Sequence, residues 1–112
     1  MSEPNHVDRI PVRDDRGNTV WIRAKMGFGV RERVKAESMK IEIQPDGKYF
    51  VLPDLAKADL ALLFHNILAW EGPDFDGKAI TREALDDLDA DFADQILAEI
   101  NQRNRKAAPN PK

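Results

Sequence analysis

Carboxylates crowd the second half of this 112-residue chain, and the densest group, Glu71-Gly72-Pro73-Asp74-Phe75-Asp76-Gly77-Lys78, is the first place where chemistry could reside. Counted from Gly72, the residues Asp74, Asp76, Gly77 and Glu83 fall at the third, fifth, sixth and twelfth positions of an EF-hand loop, a spacing that would suit calcium. Gly72, however, stands where the leading carboxylate belongs, Pro73 follows it, and Ala79 replaces the usual apolar bridge residue. The stretch therefore reads as a polar Asx or glycine turn with Phe75 tucked inward, and no metal site is assigned. Histidine offers little more. Neither His6 nor His65 has a second ligand at i+3 or i+4, and His65, between Phe64 and Asn66, reads as a boundary histidine satisfied by hydrogen bonds.

Nucleophilic catalysis finds no better footing. Ser2, Thr19, Ser38, Tyr49 and Thr81 sit in no nucleophile-elbow pattern, and cysteine is absent, which removes thiolate chemistry and disulfides. Gly27-Phe28-Gly29-Val30 resembles part of a phosphate loop but lacks the Lys-Ser/Thr ending, so it reads as a flexible junction. Asp86, Asp87, Asp89 and Asp91 lie near expected helix ends, where carboxylates cap backbone donors. No catalytic residue and no cofactor is assigned.

The elements that would position these groups follow from pattern. Ile10–Arg13 and Thr19–Arg23 alternate apolar and polar around Asp14-Asp15-Arg16-Gly17-Asn18, predicting a β-hairpin whose Pro11 belongs to an edge strand. Val30 and Val34 mark a short, mostly solvated helix over 29–39. Met39–Ile43 and Tyr49–Leu52 flank Pro45-Asp46-Gly47-Lys48 and predict a second hairpin. Asp54 caps a helix expected to run to Trp70, with Leu60, Leu63, Phe64, Ile67 and Leu68 along one stripe. Thr81 caps a short helix carrying Leu85 and Leu88, and Asp89 or Asp91 caps a last one carrying Phe92, Ala93, Ile96, Leu97 and Ile100. The expectation is one α+β domain over 9–104, N-terminal β-hairpins packed against a C-terminal three-helix region, with flexible ends at 1–8 and 105–112. Its expected core is Leu63, Phe64, Ile67, Trp70, Leu85, Leu88, Phe92, Ile96 and Ile100.

Composition narrows the class further. Net charge is −3, with ten Lys or Arg against eight acids in residues 1–52 and seven against twelve thereafter. The densest basic run, Arg31, Arg33 and Lys35, is interleaved with Glu32 and Glu37, which argues against a nucleic-acid face. No apolar run approaches the ~20 residues of a membrane span. A protein-binding role remains, with Trp21, Leu55, Leu62, Trp70, Phe75 and Leu97 as candidate contacts: exposed parts of the two long helices together with Trp21, and Phe75 from the acidic turn; a homo-oligomer would use the same surfaces.

The arrangement Ile67-Leu68-Ala69-Trp70, an acidic stretch, Asp76-Gly77-Lys78, Ile80-Thr81-Arg82-Glu83-Ala84-Leu85 and a closing helix through Ile96, Ile100 and Asn101 resembles the small tail assembly chaperones of long-tailed bacteriophages. The resemblance covers roughly residues 10–104. It implies a non-enzymatic protein of the infected host's cytoplasm that binds the tape-measure protein, keeps it soluble, yields to tail-tube subunits, and is absent from the mature virion. Members of that family are often also made in a longer, frameshifted form. The alternatives are a structural connector or tail-completion subunit, and a small regulator that binds protein or nucleic acid.

Overall fold

The computed structural model describes residues 9–105; residues 1–8, with His6, and 106–112 lie outside the described residues, and with them all but Arg105 of the flexible ends expected at 1–8 and 105–112. The order of elements is β1 (Arg9–Arg13), β2 (Thr19–Arg23), α1 (Phe28–Glu37), β3 (Met39–Ile43), β4 (Tyr49–Pro53), α2 (Leu55–Asn66), β5 (Ile67–Glu71), α3 (Arg82–Asp86) and α4 (Ala90–Asn104). The class is α+β, as the pattern predicts.

β1, β2 and β5 form an antiparallel sheet in that order. Its inner face carries Val12, Val20 and Ile22, and against it packs the stripe of α4, where Phe92, Ile96 and Ile100 are 2% exposed or less. Each such side chain stabilises the fold by about 1.5–3 kcal/mol through burial. Leu63 of α2, Ile67 of β5, Leu85 of α3 and Phe75 complete the core. Phe64, Trp70 and Leu88, expected inside, lie only partly buried against it.

The principal departure from expectation concerns Ile67–Glu71. These residues continue the apolar pattern of α2, yet the helix ends at Asn66 and the chain becomes strand β5, pairing Val20 with Trp70 and Thr19 with Glu71. Two causes are visible. The buried Asn66 turns its amide back to the Leu62 carbonyl at 2.9 Å, and β2 offers a free edge whose unpaired backbone groups β5 satisfies. A bulge between Trp21 and Ile22 absorbs one residue of register. The helix starts are those the sequence marks: Asp54, Thr81 and Asp89 each accept a hydrogen bond from a backbone N–H of the first turn. Gly27-Phe28-Gly29-Val30 is not a flexible junction; Gly27 is the N-cap of α1 and the other three residues begin that helix.

A candidate interaction surface on the second hairpin

Between α1 and α2 the chain makes the β3–β4 hairpin, which belongs to neither the sheet nor the core. Strand propensity and alternation form it, and a three-residue loop closes it, with Gln44 N–H donating to the Lys48 carbonyl at 2.7 Å and Gly47 at φ +87°. That left-handed conformation is open to glycine and strained for most side chains. The first hairpin closes the same way, through Asp14, Gly17 and Asn18. At the base, Asp54 N–H donates to the Ser38 carbonyl at 2.8 Å, so the hairpin leaves and rejoins the body at one point.

The register decides what the hairpin shows. Met39 lies opposite Pro53, Ile41 opposite Val51 and Ile43 opposite Tyr49, so these six share one face. Lys40 opposite Leu52 and Glu42 opposite Phe50 make the other. The first face is apolar throughout and open to solvent: Ile41 is 66% exposed, Ile43 74% and Tyr49 65%. Leu55, just beyond Pro53, is exposed as well. A two-stranded hairpin with no covering layer is marginal in water, and a contiguous exposed apolar face marks an interaction site.

The six contact residues proposed from sequence scatter. Only Leu55 adjoins the exposed hairpin. Trp21 pairs with Ala69 and lies on the face of the first sheet opposite to that of its neighbour Val20, whereas Trp70, which pairs with Val20, lies on Val20's side. The two tryptophans thus point away from each other. Leu62 and Leu97 pack partly against the core. Phe75 is a core residue, 6% exposed and stacked on Trp70 with ring centroids 4.3 Å apart, so it is not available to a partner. The Trp70 indole N–H donates to the Lys78 carbonyl at 3.0 Å, which clamps the acidic turn over the sheet.

Two sets of ionisable groups are tied into joints. Asn18, fully buried, donates from its side-chain amide to Asp14 at 2.7 Å and Asp74 at 2.9 Å, and its carbonyl accepts from the Asp74 backbone N–H at 3.0 Å. Arg16 bridges Asp14, Asp74 and Asp89. Burial disfavours the Asp14 carboxylate, but the Asn18 amide, backbone N–H groups and Arg16 together outweigh it and lower its pKa from 3.8 to about 2. Asp74, a candidate calcium ligand by spacing, is engaged by Asn18 and Arg16. The second joint links α1, α2 and α3: His65 Nε2 lies 2.9 Å from Glu37, and Arg82 lies 3.1 Å from the other Glu37 oxygen while covering the Phe64 ring at 4.2 Å. The His65 hydrogen bond, opposed by burial and aided by Arg82, lowers the pKa of Glu37.

The fold and this surface define a small α+β domain that carries an uncovered apolar β-hairpin. Comparison with protein-family models, with curated proteins and with solved structures finds no match for the chain. The hairpin itself was legible in sequence. Its nakedness was not, because an alternating strand such as Met39-Lys40-Ile41-Glu42-Ile43 reads as half-buried by default.

Proposed function

We propose that this protein is a non-enzymatic tail assembly chaperone of a long-tailed bacteriophage, which binds the tape-measure protein and shields its helical segments until tail-tube subunits assemble around it. The resemblance in the turn and helices after Ile67 supplies the class of client. The observation that carries the reading is the exposed apolar face of β3 and β4. Two strands span about 10 Å, close to the width of one helix, so the face offers a seat for the apolar stripe of a single client helix. A long client with such a stripe aggregates unless the stripe is covered. The interaction surface moves from the helices, where the sequence pattern would put it, to the hairpin.

Co-expression tests this. The tape-measure protein should stay soluble and co-purify with the unaltered chain, and both effects should vanish with Ile41→Asp or Ile43→Asp while circular dichroism stays the same. Retention of the client by both variants would overturn the surface. Abundant copies of the protein in purified virions would favour a structural connector instead.

A further inference from the structure

The hairpin has a second unused feature besides its apolar face: the outer edge of β3. Residues 44 and 48 are joined by the Gln44 N–H to Lys48 carbonyl bond. Because bonded pairs recur every second residue in an antiparallel ladder, Glu42 and Lys40 direct their backbone groups toward β4. Met39, Ile41 and Ile43 therefore direct theirs outward, and every residue of β3 is exposed. The outer edge of β4 differs, since Pro53 stands in its outward-facing set and has no N–H to give.

We propose that the partner for the β3 edge is a second copy of this chain, paired antiparallel about a two-fold axis through Ile41, to give a four-stranded sheet. The strand Met39-Lys40-Ile41-Glu42-Ile43 is complementary to itself in this register and in no adjacent one. Centred on Ile41, the outward groups of Met39, Ile41 and Ile43 meet those of Ile43, Ile41 and Met39 of the other copy, so the whole edge is satisfied. Lys40 then faces Glu42 of the other copy, twice over. Moving the axis to Lys40 sets lysine against lysine, and moving it to Glu42 sets glutamate against glutamate. Both leave one end of the edge unpaired. Opposite charges across strands stabilise and like charges destabilise, so charge selects the register, and a two-fold contact requires this kind of self-complementarity. The axis runs perpendicular to the sheet, so both apolar faces end on the same side, as one face about 20 Å wide. The pairing uses an edge and leaves that face free, so it goes beyond client binding and can fail without it.

Charge exchange tests the register. Sedimentation velocity over a wide concentration range should show a dimer for the unaltered chain. Lys40→Glu and Glu42→Lys should each weaken it roughly tenfold, because each turns both cross-strand pairs into like-charge pairs. An equimolar mixture of the two single variants should recover the dimer, since each supplies the charges the other lacks, and the double exchange should recover it in one chain. The chain has no cysteine, so Lys40→Cys combined with Glu42→Cys should oxidise to a covalent dimer, the two positions being non-hydrogen-bonded neighbours about 4.5 Å apart at Cα. A monomer at every concentration overturns the proposal. So does a dimer that is indifferent to the single reversals, which would place the contact elsewhere, and so does a mixture that fails to recover.

Discussion

Asn18 and Asp74 stand 56 residues apart in sequence and are joined in both directions, the Asn18 amide donating to the Asp74 carboxylate at 2.9 Å and the Asn18 carbonyl accepting from the Asp74 backbone N–H at 3.0 Å. One buried side chain thereby fixes the loop of the first hairpin to the acidic turn after β5. The pair explains why a turn rich in carboxylates is ordered, and it gives Asp74 a structural occupation.

Replacing Asn18 by Ala should therefore cost about 2–3 kcal/mol, since it deletes three side-chain hydrogen bonds, leaving the buried Asp14 carboxylate without its amide donor and the Asp74 backbone N–H without its acceptor. Urea unfolding measures this. A loss under 0.5 kcal/mol, roughly that of an ordinary surface change, would show that the joint contributes little.

Gly72 should be still less tolerant. Its φ is +131°, and an added Cβ would lie 2.6 Å from the Asn18 Cα and 2.8 Å from the Gly17 carbonyl oxygen, both backbone atoms. Gly72→Ala should lower stability by about 3 kcal/mol or more from strain and displacement together. Thermal unfolding should show it, whereas Ala at Gly29, which meets open space, should leave the midpoint close to the original.

Acid should weaken the same joint. The pKa of Asp14 is about 2 in the fold against an ordinary 3.8. A depressed carboxylate stabilises fully above its unfolded pKa, and that contribution declines as pH falls from 3.8 towards about 2. Stability measured by urea across this window should fall more steeply for the unaltered chain than for Asp14→Asn, which has no proton to take up there. Parallel curves would assign the acid sensitivity to other carboxylates. Glu37, also lowered, adds a loss of the same sign below its ordinary 4.5.

Phe75→Ala tests the distinction between a core residue and a contact residue. It removes a buried ring and the stack on Trp70, and should cost about 3–5 kcal/mol. Trp70 emission should shift to longer wavelength as the indole gains water. Unchanged stability with lost client binding would return Phe75 to the interaction surface.

Excision of residues 40–52, with a short Gly-Ser link in their place, should leave the body intact. Ser38 and Asp54 already meet at 2.8 Å, and the buried residues of the core cluster lie outside the excised segment. The unfolding midpoint should change little, while client binding and self-association should both disappear. Global unfolding of the shortened chain would show that the hairpin supports the body.

Local order was written in the chain itself. Alternation around Gly17 and Gly47 specifies two hairpins, and the oxygens of Asp54, Thr81 and Asp89 mark where α2, α3 and α4 begin. The spacing of Phe92, Ile96 and Ile100 specifies which side of α4 is buried. These features depend on interactions within a few residues, so their signals are local.

Tertiary structure alone decided the rest. Ile67–Glu71 suits a helix by spacing and becomes a strand because β2 has an open edge to satisfy. Asn18 looks like a turn residue and becomes a buried hub because Asp74 arrives beside it. Met39, Ile41 and Ile43 carry the pattern of a covered strand, yet all three stay exposed to solvent. Backbone pairing and burial depend on what lies across space from a residue, and the positions that meet in this fold are separated by tens of residues, beyond the reach of any short sequence pattern.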